Sequence, residues 1–142
     1  MSNMMMPTEK DIEEIAELID CGMVCCFHKE TGAIEDYPDP NDIYFDPEPW
    51  QEIIDKIDAD FDSYYRFERM TSRQGFQVME DFALSLGDDN FQKRLIYLLS
   101  QRKPFSKFKL AIDNSSYRQD WFDFKKQANI AWVRKQLPYM AS

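Results

Sequence analysis

The chain is poor in the residues from which most functional sites are recognised. Four glycines, none beside another, are spread over 142 residues, so neither a phosphate-cradling loop nor a dinucleotide-binding fingerprint can be assembled. There is one histidine, His28, and there are three cysteines, Cys21, Cys25 and Cys26. These four lie close together in the manner of zinc ligands, yet a second ligand pair is missing, and on a strand Cys25 points away from Cys26 and His28. No metal and no cofactor is expected. Cys26 and His28 share a strand face about 7 Å apart by strand rise, too far for the hydrogen bond that a nucleophile and its base require. An odd cysteine count with an adjacent pair is no secreted disulfide framework and fits a reducing cytoplasm. No apolar run approaches the ~20 residues that span a bilayer, and the opening MSNMMMPT lacks the basic flank of a signal peptide. Neither export nor membrane insertion is expected.

Aromatics and unevenly placed charge are what the chain has in quantity. Eleven phenylalanines and seven tyrosines imply a core built from large rings. The net charge of -9 is split: residues 1–62 hold eighteen acids against three bases, and residues 101–142 hold nine bases against three acids. Such opposition points to an acidic face and a basic face, available to a protein partner or to a second copy of the chain.

The length suits one domain, expected over residues 8–142 after a disordered tail at 1–7. Thr8 and Asp11 stand at capping-box spacing before an apolar stripe of Ile12, Ile15, Ala16 and Ile19, which predicts a helix ending at Gly22. MVCCFHK reads as a strand buried on both faces, and Ala33 to Tyr37 returns as its hairpin partner after Gly32. The proline-rich stretch PDPNDIYFDPEP, residues 38–49, excludes regular structure. Asp46 and Pro47 then open a helix with Trp50, Ile53, Ile54, Ile57 and Phe61 on its buried side. Tyr64 to Glu68 reads as a third strand. Helical periodicity follows to the end. Thr71 with Gln74 caps one helix, which Gly87 stops, and Asp88 or Asp89 starts the next. Pro104 opens a short helix with Phe105, Phe108 and Ile112 inside and Asn114 as a left-handed end. Ser116 with Gln119 caps the last, whose inner stripe is Tyr117, Trp121, Phe124, Ala128 and Ala131. The fold class is α+β: a small antiparallel sheet of about three strands, five or six helices, and an all-helical C-terminal half.

Four strings taken in order, CGMVCCFHKETG, MTSRQGFQVMEDFA, RKPFSKFKLAIDN and YRQDWFDFKKQ, give the chain a resemblance. From Thr8 to Leu137 it resembles one of the numbered UPF families of small uncharacterised bacterial proteins. That resemblance implies an α+β domain and carries over no catalytic residue, cofactor or substrate.

Two segments hold the candidate chemistry. Asp36, Asp39, Asp42 and Asp46 are the oxygen ligands that a metal-assisted hydrolase would use, though without the spacing or the glycine of a calcium loop. The basic aromatic segment offers Arg102, Lys103, Lys107, Tyr117 and Arg118 as an anion-binding set, since arginine holds a carboxylate or phosphate through two parallel hydrogen bonds. The reading preferred is a cytoplasmic, non-enzymatic binding or regulatory module that works through protein contacts. Nucleic-acid binding through the C-terminal helices is an alternative that the overall negative charge opposes.

Overall fold

The computed structural model describes residues 4–141, with side chains as far as Leu137. Of the tail expected at 1–7, residues 1–3 lie outside the described residues. Met4 to Pro7 form no helix or strand, but Pro7 is buried, the Met5 N–H donates to the Lys29 carbonyl at 2.6 Å, and the Tyr65 hydroxyl donates to Met6 Sδ at 3.5 Å. The stretch expected as one domain forms two compact units, Met1–Arg69 with Asn129–Ser142, and Met70–Ala128.

The first unit is built on a three-stranded antiparallel sheet, and the fold is α+β as its sequence pattern implies. Helix α1 (Glu9–Asp20) starts from the Thr8–Asp11 capping box, in which each side chain accepts the other residue's backbone N–H. Gly22 follows at φ +87°, a left-handed turn open to glycine, and leads into β1 (Met23–His28). Gly32 at φ +73° turns the hairpin into β2 (Ile34–Pro38), and β3 (Tyr64–Phe67) pairs on the other side, giving the order β2-β1-β3. As the central strand, β1 is buried on both faces, which explains its unbroken apolar run. Side-chain alternation sorts it: Cys25 and Phe27 join Ile15, Phe67, Ile130 and Val133 on one face, while Val24 and Cys26 join Tyr37, Ile57 and Tyr64 on the other.

The helix expected from Pro47 begins later. A single 3-10 turn, Glu48–Trp50, precedes α2 (Gln51–Ala59), and Asp46 spends its carboxylate on the Glu48 N–H at 3.1 Å. Because α2 ends at Ala59 and a second 3-10 turn follows, Phe61 leaves the helical stripe and is exposed rather than buried.

The second unit is helical. Helix α3 (Ser72–Ser85) opens on the expected Thr71–Gln74 capping box. Helix α4 (Asp89–Leu99) is capped by Asp88, which accepts the Phe91 N–H. One contact has no sequence signature: Gln92 Nε2 reaches the carbonyls of Ala83, Leu84 and Leu86 at 2.9, 3.1 and 3.2 Å, satisfying groups that the end of α3 leaves without partners. Helix α5 (Pro104–Asp113) begins at proline as expected, but its left-handed residue is Lys103 at φ 52°, and Asn114 is not left-handed (φ −94°).

The last helix, α6 (Arg118–Ala141), spans both units. Its entry uses Ser115 in place of the expected Ser116, the Ser115 hydroxyl accepting the Tyr117 N–H at 3.1 Å. Trp121 is buried and Phe124 packs against the same core, which also holds Met79, Phe82, Leu95, Phe108 and Ile112. Beyond Ala128 the buried positions become Asn129, Ile130 and Val133, so Ala131 is exposed. The inner stripe is rephased because the helix changes neighbours there, and one 3.6-residue period cannot serve both. Phe105, expected in the shared core, is 46% exposed and rests against Gly75.

Candidate functional site: a basic and apolar strip

Sequence proximity places Arg102, Lys103, Lys107, Tyr117 and Arg118 together, and the fold divides them. Arg102 and Lys103 form the turn before α5, and Lys107 is one helical turn further, its N–H bonded to the Lys103 carbonyl. Tyr117 and Arg118 stand beyond the other end of α5, about 15 Å away by the rise of ten helical residues. Lys103 carries left-handed backbone strain directly before a proline, a conformation that only surrounding structure sustains in a residue with a Cβ. Tyr117 is already committed: its ring stacks on Phe91 with centroids 5.1 Å apart, and its hydroxyl donates to Asp88 Oδ2 at 3.0 Å. That hydrogen bond raises the phenol pKa. Tyr117 therefore braces the start of α4 and is no spare donor for a ligand.

Arg118 is the organised member of the set. Its Nε pairs with Asp113 Oδ1 at 3.4 Å, and its guanidinium lies 4.8 Å from the centroid of the Phe122 ring. Phe122 is 40% exposed, and Leu110, one turn before Asp113 on α5, is 65% exposed. Residues three apart on a helix are surface neighbours, so Leu110, Asp113, Arg118 and Phe122 make one strip across the α5–α6 corner. Leu110 and Phe122 are apolar and fall outside the inner stripes of their helices, but spacing alone does not say whether another element covers them.

A second polar group lies on the α2 side of the sheet. His28 Nδ1 accepts the backbone N–H groups of Glu30 and Thr31 at 3.1 and 3.2 Å, while Nε2 faces Asp60 Oδ2 at 3.7 Å. The imidazole packs edge-on against Tyr64. The Tyr64 hydroxyl donates to Glu35 Oε2 at 2.8 Å, and Lys56 donates to Glu35 Oε1 at 2.5 Å. Burial pushes the Glu35 carboxyl up, but the hydrogen bonds from Lys56 and Tyr64 outweigh it and hold the group below its ordinary 4.5. Burial first, and then the hydrogen bond to Glu35, push Tyr64 up to about 12. The signs fix two windows. Glu35 stabilises the fold above the unfolded carboxyl value and stops doing so as pH falls through its depressed native value. Tyr64 stabilises below the ordinary 10.0, and that contribution is lost as pH rises from there to about 12. In a tyrosinate absorbance titration of the native protein, Tyr37, Tyr64 and Tyr117 should ionise later than ordinary phenols, and Tyr64→Phe should remove one phenol from that late group; loss of an early-ionising phenol instead would place Tyr64 in contact with water.

Both His28 nitrogens face groups other than the thiols. Burial, against a partial pull from Arg66, pushes the Cys26 thiol up to about 11, and burial raises Cys25 further. Since the thiolate is the nucleophile, native protein treated with iodoacetamide near neutral pH should be modified at exposed Cys21 and not at Cys25 or Cys26, with all three reacting in denaturant. Rapid native labelling of Cys26 would show an open, activated thiol.

The loop acids serve their own backbone. Asp39, Asp42 and Asp46 accept the N–H groups of Asn41, Tyr44 and Glu48, and Asp39 also pairs with Arg69 at 3.3 Å. Among the described residues no group of three or more His, Cys, Asp or Glu side chains is arranged to hold a metal ion.

The fold and this surface define an acidic α+β protein whose organised polar side chains brace structure, with a strip of exposed apolar and cationic groups on its helical unit. It belongs to a family described as the uncharacterised protein family UPF0158, whose model matches residues 34–138. Three of the four familiar strings fall inside that match, and CGMVCCFHKETG precedes it. No curated protein and no solved structure matches the chain.

Proposed function

We propose that the protein is a non-catalytic binding module of the bacterial cytoplasm that docks an acidic protein surface on the strip at the α5–α6 corner. The observation that carries this is Arg118, held between Asp113 and Phe122 with Leu110 and Phe122 open to solvent. Aromatic, aliphatic and arginine groups side by side are the chemistry of a protein interface centre, where arginine and aromatic anchors supply most of the binding energy. Lys103 and Lys107 add positive charge at the far end of α5, which steers an acidic partner without specifying it. A polyanion is disfavoured by the net charge of -9 and by Leu110, which offers nothing to a phosphate. Three unpaired cysteines fit a reducing compartment, and no helix among the described residues is long and apolar enough to cross a membrane.

The test places a photo-crosslinking side chain at Leu110 in the full chain inside cells, with Leu84, also exposed, as the control position. Adducts specific to Leu110 are expected, on peptides rich in Asp and Glu, diminished in Arg118→Glu and in lysates at raised salt. Equal adducts from both positions, adducts to nucleic acid, or adducts indifferent to Arg118→Glu would overturn the proposal.

A further inference from the structure

The loop between β2 and α2 presents two large apolar side chains outward: Ile43 is 87% and Tyr44 88% exposed. Asp39, Asp42, Asp46 and Glu48 surround them in sequence. The loop is not slack. Three carboxylate-to-backbone hydrogen bonds of 2.9, 2.9 and 3.1 Å fold it at Asp39, Asp42 and Asp46, the Asp39–Arg69 pair ties it to the end of β3, and Pro38, Pro40, Pro47 and Pro49 restrict its backbone. A tip whose shape is set in advance has less ordering entropy to lose on binding, and an exposed tyrosine beside an aliphatic residue is the composition of an interface anchor.

We infer that the Ile43–Tyr44 tip is one half of a homotypic contact, and that its socket is the Leu110–Arg118–Phe122 strip of a second copy of this chain. This deepens the proposed function by naming the acidic partner surface, and it rests on that reading. Charge complementarity selects the second copy. The unit bearing the loop carries nineteen acids and seven bases, a net of -12, and the unit bearing the strip carries seven acids and ten bases, a net of +3. Ile43 and Tyr44 lie among acids, while Leu110 follows Lys107 and Lys109, and Phe122 stands against Arg118 with Lys125 and Lys126 beyond it, though Asp113, Asp120 and Asp123 lie in the same stretch. Both halves are present on every molecule at equal concentration. Asp42 and Asp46 each hold a backbone N–H through Oδ1, and a carboxylate so engaged still has lone pairs that accept from a guanidinium such as that of Arg118. Because tip and socket are different surfaces and every copy carries both, two copies can pair reciprocally, or repeats of the contact can close into a larger ring or extend into a chain.

Sedimentation velocity of the full protein over rising concentration tests this, at low salt and at raised salt, where charges farther apart than about 8 Å are screened. Association that grows with concentration and weakens with salt is expected. The tip variant Ile43→Ser/Tyr44→Ser and the socket variant Leu110→Ser/Arg118→Glu should each sediment as monomers. Mixed together, they should form a one-to-one dimer and nothing larger, since the mixture retains one intact tip and one intact socket per pair. Circular dichroism confirms that both variants are folded. A wild-type chain that stays monomeric to about 1 mM, association that survives the tip variant, or a mixture that stays monomeric would each overturn the inference. If the wild type is monomeric while Leu110 still crosslinks acidic proteins, the homotypic contact alone falls. If Leu110 crosslinks nothing either, the docking strip falls with it.

Discussion

Replacing Trp121 with alanine is expected to cost ~3 to 5 kcal/mol, the range for truncating a buried aromatic side chain. Trp121 is 8% exposed, and its ring meets Phe82 and Phe108 edge-on at centroid distances of 5.3 and 4.9 Å. Phe82 also meets Phe124 at 5.3 Å, so the indole sits in a four-ring cluster that cannot close over the space it leaves. The loss combines the transfer of a large apolar surface to water with the residual cavity. Urea denaturation followed by far-ultraviolet circular dichroism measures it, and hydrogen exchange should show the protection lost in α3 and α5. Phe105→Ala is the internal control, because a half-exposed ring should cost far less. A Trp121→Ala loss below ~1 kcal/mol, the range of surface substitutions, would place the indole outside this core.

Phe27→Ala is expected to be as damaging to the sheet, at ~3 to 5 kcal/mol. Phe27 is fully buried near the end of β1, the middle strand of the sheet, lies nearly parallel to Tyr65 at 6.4 Å, and shares its cluster with Ile15, Phe67 and Val133. A central strand has no solvent-facing route by which water or a neighbouring side chain relieves the cavity, so little collapse offsets the loss. Phe27→Leu keeps most of the volume and should cost under ~1.5 kcal/mol. Hydrogen exchange over β1 and β3 should report the damage at Phe27→Ala. Equal, small effects from both substitutions would mean that the face carrying Phe27 is loosely packed. A margin of ~5 to 15 kcal/mol is ordinary for a natural domain, so either alanine variant consumes a large share of it.

The local grammar of the chain was legible residue by residue. The Thr8 and Thr71 capping boxes, the Asp88 cap, Pro104 at the first position of α5 and Gly32 in the hairpin all stand where spacing put them. Alternation placed Cys25 and Cys26 on opposite faces of a strand, and the structure seats them in two different apolar clusters. The misplacements share a cause. Phe61, Phe105 and Ala131 continue an apolar stripe in the sequence, yet a stripe is buried only where another element covers it. For Phe61 the helix had already ended; for Ala131 the neighbours had changed.

The candidate site was half legible. Its residue types were visible, but Arg102, Lys103 and Lys107 are separated from Arg118 by the length of α5, and Tyr117 is occupied by Asp88. Leu110 and Phe122 give the strip its apolar character, and their exposure is not written in composition. Sequence by itself determined the kind and order of the main helices and strands, the β1–β2 hairpin and the charge asymmetry, since those depend on periods of 2 and 3.6 residues and on counting, whereas the pairing of β3 with the far side of β1 came from the fold. Tertiary structure alone decided which apolar residues stay uncovered, where α6 changes its buried side, how Gln92 completes the end of α3, and that Ile43 and Tyr44 stand out from an ordered loop. Each of these depends on what lies beside a residue in space, and local spacing carries no record of a neighbour that is distant along the chain.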